Sequence, residues 1–267
     1  MIAQSRQPSS MPIVALVDIG NSGLAAGTWS HDHVQQRRDF DPDEFDDLCR
    51  HIESCHSNDQ TNFLANVVIS SVVPSTLATL AEWIEKTLKL EPLIIGRQVA
   101  LPIDVALPAP YAVGVDRICC AAAAYHFKKD AVVVVDFGTA ITVDAVDDQG
   151  AFMGGAIYPG LELQALALHE HTALLPKVRV KRPESIIGEN TAAAIESAIY
   201  YGTAGAVRGI VERYAEQFGK WPWVIATGGD AALLAEACQI FDTVIPDLCL
   251  IGVGLAYDKH QGYAVSL

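Results

Sequence analysis

AVVVVDFGTAITVDAVDDQGAFMGGAIYPG, residues 131–160, is the stretch on which the fold turns. It opens with a run of small or β-branched apolar residues, Ala131 to Val135, the composition of a strand buried on both faces. The run stops at Asp136-Phe137-Gly138-Thr139. An aspartate at the end of a buried strand, followed by a glycine and a hydroxyl, gathers oxygen ligands and backbone N–H groups where an anion or a cation can bind. The same residues also suit an ordinary turn that Asp136 and Thr139 merely close. A second strand is expected from Ala140 to about Val146, then a turn through Asp147-Asp148-Gln149-Gly150, then a third strand over Ala151 to Ile157. The stretch reads as a three-strand meander.

The N-terminal part echoes this design. Ile13 to Val17 has the pattern of a buried strand, ends at Asp18-Ile19-Gly20-Asn21-Ser22-Gly23, and is followed by a second strand from Leu24 to Trp29. Strand, aspartate, glycine turn, strand therefore occurs twice, each time at the head of its own half of the chain. Such turns could hold the two ends of a nucleoside triphosphate in a cleft between duplicated halves, although a capped turn explains Asp18 taken alone.

Between these landmarks the periodicity alternates. Residues 31–38 are a polar stretch that leads into 42–55, which carry Phe45, Leu48, Cys49 and Ile52 on one helical face. A strand is expected over Asn66 to Val73, a helix over Ser75 to Leu88 and a short strand over Pro92 to Ile95. Prolines at 102, 108 and 110 give an extended loop, after which Asp116 and Arg117 fall in the first turn of an alanine-rich helix. A carboxylate suits that position and a cation does not, so Arg117 there suggests a task, although a plain N-terminal helix acid at Asp116 and a surface charge at Arg117 also explain the pair. Beyond the meander, a helix is expected through Leu161 to Leu168. His169-Glu170-His171 lacks the spacing of a helical zinc site and reads as a solvated helix end. Residues 177–183 are basic and loop-like. Thr191 stands where an N-cap is expected before a long helix to Phe218, in which Gly202, Gly205 and Gly209 would permit close packing. Trp221 to Ala226 reads as a strand, Thr227-Gly228-Gly229-Asp230 as a third glycine turn, and Ala231 to Cys238 and the segment after Ile251 as helices.

Composition excludes several classes. Lys and Arg number 18 against 32 Asp and Glu, a net charge of −14 that opposes binding to nucleic acid. An anionic substrate must then find its positive potential locally, from arginine, helix N-termini or cations. No apolar run reaches the roughly 18–20 residues a membrane span needs, and the first eleven residues lack the apolar region of a secretory signal. A cytoplasmic location and a disordered lead over residues 1–11 are expected. Six cysteines show no CxxC spacing, so reduced and mostly buried thiols are expected.

Taken in order, DIGNS at 18–22, GVDR at 114–117, DFGTAIT at 136–142, GGAIYPGL at 154–161, ENTAAAIESAIYYG at 189–202 and TGGD at 227–230 resemble the type III pantothenate kinases, over nearly the whole chain from Val14 on. The resemblance implies an α/β fold of two duplicated ribonuclease-H-like, actin-like ATPase domains clamping ATP, here expected over residues 12–128 and 129–267. The implied reaction is ATP-dependent phosphorylation of pantothenate to 4'-phosphopantothenate, the first step of coenzyme A biosynthesis. Carried over by position, Asp18, Ile19, Gly20, Asn21, Ser22, Gly23, Leu24 and Ala25 would bind ATP phosphates, with Asp18 serving magnesium directly or through water. Gly114, Val115, Asp116 and Arg117 would line the pantothenate site, and Asp116 would accept the proton of the substrate hydroxyl. Asp136 would bind a monovalent cation, potassium or ammonium. Thr139 would contact ATP, Thr191 pantothenate, and Gly228 with Gly229 the adenosine side.

The pattern departs from the family at two places. Leu107 occupies the position of a substrate-contacting tyrosine, for which Tyr111 is a candidate substitute, and Ala198 stands where many members have glycine. The resemblance further implies a homodimer. The alternative from another class is a non-catalytic nucleotide-binding relative acting as an accessory regulator of transcription. A sugar kinase of the same superfamily would keep the Asp18 and TGGD turns but lack GVDR, and a protein kinase would need an HRD loop and a glycine-rich lid, which are absent from the sequence.

Overall fold

A computed structural model describes residues 11–30, 33–55 and 62–263. Residues 1–10 of the expected disordered lead lie outside the described residues, and Met11 already opens the first strand. The chain divides into two compact units, each interrupted in sequence.

The first unit contains β1 (Met11–Ile19), β2 (Leu24–Ser30), β3 (His33–Phe40), α1 (Phe45–Ser54), β4 (Asn62–Ser71), α2 (Pro74–Trp83) and β5 (Leu93–Ile94). Its sheet has the order β3-β2-β1-β4-β5, with β1 antiparallel to β2 and parallel to β4. Alternation along β1 decides the two faces. Ala15, Val17 and Ile19 join Leu48 and Ile52 of α1 and Leu80 of α2 in one core. Val14, Leu16 and Asp18 point the other way, toward the face that carries the chain's C-terminal helix. β3 stands where the sequence reading marks only a polar stretch, residues 31–38, and assigns no strand. It is an edge strand with nearly every side chain exposed, so no apolar alternation marks it.

The second unit contains β6 (Asp104–Val105), most of α3 (Val115–Lys128), β7 (Val132–Phe137), β8 (Ala140–Val146), β9 (Ala151–Pro159), α4 (Leu161–Glu170), α5 (Thr191–Phe218), β10 (Trp223–Thr227), α6 (Ala231–Cys238) and β11 (Thr243–Val244). Strand order is β11-β10-β7-β8-β9-β6. The meander expected from residues 131–160 is present as β7, β8 and β9, paired antiparallel, with β10 parallel to β7 on its other side. Without the added edge strand β6, this arrangement repeats that of the first sheet: a leading strand, two antiparallel neighbours on one side and two parallel neighbours on the other. The duplication read from the two aspartate turns is thus a duplication of topology.

Three expectations are corrected here. The helix α7 (Leu248–His260) belongs from Cys249 onward to the first unit, as do residues 114–119, so the units do not follow the expected division at 128/129. The contacts are specific: Trp29 Nε1 donates to Asp258 at 2.8 Å, Asn66 Nδ2 donates to the Tyr257 hydroxyl at 3.1 Å, and a Cβ at Gly252 would stand 2.0 Å from the Cys119 carbonyl oxygen. Asn190, not Thr191, is the N-cap of α5; its side chain accepts from the Ala193 N–H at 3.0 Å, and Thr191 is the first helical residue. Gly202, Gly205 and Gly209 face open space rather than a close-packed helix. No helix among the described residues is long and apolar enough to cross a membrane.

Candidate active site

In the first unit the site grows from the end of β1. Asp18 lies across from Ala25 on β2 and Ser70 on β4, and the Gly20 N–H closes the following turn on the Gly23 carbonyl at 3.0 Å. Asp18 is partly covered as a residue, yet its Oδ1 is shut from solvent with no hydrogen-bond partner; the same holds for Ser70 Oγ. Burial first, then the charges of Cys249 and Asp116, hold the Asp18 carboxyl well above the usual carboxylate range. Ser70 lies near enough to temper that rise without making a well-formed hydrogen bond. A cavity of about 380 Å³ beside the loop is lined by Asp18, Ser22, Gly23, Leu24 and Ala25 and by the carboxylates Asp39, Asp41 and Glu44.

Asp116 occupies the first turn of α3 as expected. Its Oδ1 accepts from the Arg117 N–H at 2.8 Å, a geometry that needs glycine before it, because a Cβ at Gly114 would stand 2.5 Å from that oxygen. Cys249 Sγ donates to the Asp116 carbonyl oxygen at 3.9 Å. The Cys119 thiol is pushed far up, first by contact with Cys249, then by burial and the charges of Cys249, Asp18 and Asp116. Asp18, Asp116, Cys119 and Cys249 therefore form one electrostatic cluster. Sequence reasoning missed three of its neighbours. Cys249 carried no signal, being far along the chain; Cys119 directly follows GVDR, and Ser70 ends a buried strand as Asp18 does. All six cysteines are free, five of them buried.

In the second unit Asp136 ends β7 between Thr227 of β10 and Thr142 of β8. Directly opposed residues project to one face, so the buried Thr142 Oγ1, which has no hydrogen-bond partner, shares the Asp136 face. The TGGD turn closes over this strand end. Gly228 has φ +91°, and a Cβ there would lie 2.4 Å from Asp136 Oδ1 and 2.6 Å from the Phe137 carbonyl oxygen. The Asp230 N–H donates to that carbonyl at 3.1 Å. Burial and the charge of Glu162 raise the Asp230 carboxyl, with Arg179 opposing them.

The remaining candidates are less enclosed. Thr139 and Thr191 are exposed. Tyr111, on a tight turn at Pro110–Ala112, is 74% exposed, while Leu107, at the family's tyrosine position, packs its Cδ atoms against Gly154 of β9. His169 and His171 are exposed at the end of α4, and His169 Nδ1 lies 2.8 Å from the Leu175 carbonyl oxygen, as suits a helix end.

The family model for type III pantothenate kinase matches residues 14–213, a span that includes the Asp18, GVDR and DFGT turns. This chain belongs to the type III pantothenate kinase family. The kinase is 38% identical over 254 residues to the type III pantothenate kinase of Dehalococcoides mccartyi, covering 92% of this chain and 97% of that one. Among solved structures it is similar to one from Campylobacter jejuni described provisionally as a Baf family transcriptional activator, at TM-score 0.58 and 20% identity over 93% of this chain and 99% of that one. It is also similar to a Listeria monocytogenes protein described provisionally as an N-acetylmannosamine kinase, at TM-score 0.50 and 13% identity over 93% and 99%. At these identities both likenesses concern the fold alone. The kinase thus combines a sugar-kinase-like fold with the motifs of the pantothenate family.

Proposed function

We propose that this kinase transfers the γ-phosphoryl group of ATP to the primary hydroxyl of pantothenate, giving 4'-phosphopantothenate for coenzyme A biosynthesis, and that it works in the cytoplasm as a homodimer. The observation that carries the site assignment is Asp18, whose buried Oδ1 meets no donor while burial, Asp116 and Cys249 all disfavour its charge. A cation beside the carboxylate would offset that conflict, and Asp18 also lines the cavity next to the loop, where a carboxylate fits magnesium, which takes its other ligands from phosphate oxygens and water. Magnesium would neutralise charge on the phosphates. The acidic lining of the same cavity supports a nucleotide that arrives with its cation rather than bare. At Asp136, the carboxylate and the unpartnered Thr142 hydroxyl supply the hard oxygen donors that suit potassium or ammonium.

Asp116 takes the hydroxyl proton of pantothenate. Phosphoryl transfer through a loose transition state removes that proton late, so alignment matters more than basicity, and the Arg117 N–H holds the Asp116 carboxylate in place at the helix start. Arg117 and the N-terminal turn of α3 offer positive potential for the substrate carboxylate. Tyr111, exposed and able to donate, is the candidate for a further substrate contact, with Thr191. Thr139, Gly228 and Gly229 serve the nucleotide.

The test is turnover of pantothenate with ATP and magnesium in potassium and in sodium buffers, beside Asp116→Asn. Turnover is expected in potassium and not in sodium, with kcat lower by about 10²-fold or more in the variant. A folded protein that binds nucleotide but turns over nothing in potassium or ammonium would sink the kinase reading in favour of the accessory regulator.

A further inference from the structure

KVRVKR, residues 177–182, is the densest run of positive charge in a chain of net charge −14, and nothing in the proposed reaction uses it. Val178 and Val180 pack against the core of the second unit, which turns Lys177, Arg179 and Lys181 outward. Arg182 is paired with Glu236 on α6. From Glu236 back to Asp230, which precedes the first residue of α6, is about 9 Å at roughly 1.5 Å per helical residue. From Arg182 back to Arg179 is about 10 Å at roughly 3.3 Å per extended residue. The two spans match, so the basic segment, anchored at Glu236, would bring Arg179 to the TGGD turn if it runs back along α6. Its charge is felt there, by the Asp230 carboxyl. Beside Asp230, Gly229 has open space where a Cβ would stand.

We propose that Arg179 is a nucleotide-binding residue whose guanidinium covers one face of the adenine while the Gly228–Gly229 backbone lies against the other. This rests on the reading of TGGD as the adenosine side of the site. A planar, weakly hydrated guanidinium suits that task where lysine does not, since it stacks on a flat π system and remains charged at any working pH. The acidic surroundings give it a second use: with Glu162 and Asp230 both near the turn, an adenine nucleotide approaches this side only where a cation offsets them.

The experiment titrates the full-length protein with ADP and, separately, with inorganic tripolyphosphate, by calorimetry, for the wild type, Arg179→Ala, Arg179→Lys and Arg182→Ala. Arg179→Ala is expected to weaken ADP roughly tenfold, with little recovery in Arg179→Lys, no change in Arg182→Ala and no change toward tripolyphosphate, which has no base to stack. KM for ATP should rise in parallel while kcat and KM for pantothenate stay put. Unchanged ADP affinity in Arg179→Ala, with the wild type binding normally, would reduce Arg179 to a counter-ion of Asp230 and overturn the proposal alone. Equal loss toward tripolyphosphate would make it a phosphate contact and overturn the stacking. A wild type that binds no ADP would overturn the nucleotide site and the proposal together.

Discussion

Asp18 is held in the folded chain at a cost to stability. Its carboxyl is raised well above the unfolded value, so between the two the folded state binds the extra proton, and stability declines as pH rises from about 4 through the raised value. Asp18→Asn removes the buried ionisable group. It should stabilise the ligand-free protein near neutral pH by about 1–3 kcal/mol, flatten that pH dependence, and abolish magnesium-dependent turnover. Calorimetric melting from pH 4 to pH 8 beside an activity assay checks this, and a variant less stable than the wild type near pH 7 would contradict it. At this scale the sequence was informative where chemistry is local. Asp18, Asp116 and Asp136 each stand at a strand end or helix start that pattern reveals. Cys249 and Ser70 act on Asp18 through packing across elements, so no neighbour in the sequence points to them.

At the scale of elements, the turn between β10 and α6 holds the second strand end in shape. Gly228 adopts a φ that side chains avoid, with the Phe137 carbonyl where its Cβ would be. Gly228→Ala should cost about 1–3 kcal/mol in denaturant unfolding and raise KM for ATP more than KM for pantothenate; unchanged stability would mean that the turn relaxes freely. Strands rich in β-branched residues and the alanine-rich α3 were legible because burial on one or both faces imposes a period. β3 was not, since a wet edge strand such as HVQQRRDF has no face to bury. The short strands β6 and β11, two residues each, exist through their partners β9 and β10 and have no pattern of their own. The cap of α5 shifted by one residue because asparagine and threonine both qualify and the backbone selects between them.

At the scale of the molecule, the second unit exposes Ile157, Leu163, Leu174, Ile186, Ile187 and Tyr201, large apolar side chains that a lone subunit would leave in water. Their exposure supports the homodimer, for which light scattering should return twice the chain mass of 28.6 kDa, with charge substitutions at Ile186 and Ile187 lowering both the mass and the turnover. A fully active monomer would remove the homodimer from the reading. By itself the sequence determined the repeated strand, aspartate and glycine-turn design, the family and the order of its motifs, because each depends on residues adjacent in the chain. The tertiary structure decided which distant pieces meet: α7 joins the first unit and sets Cys249 beside Asp18 and Asp116, and the basic segment is tied to α6 through Arg182 and Glu236. A helix as apolar as LCLIGVGLAY must be buried whatever its neighbour. Only the close approach its glycines allow, Gly252 on the Cys119 backbone and Gly254 on the Trp29 ring, selects the face on which it lies.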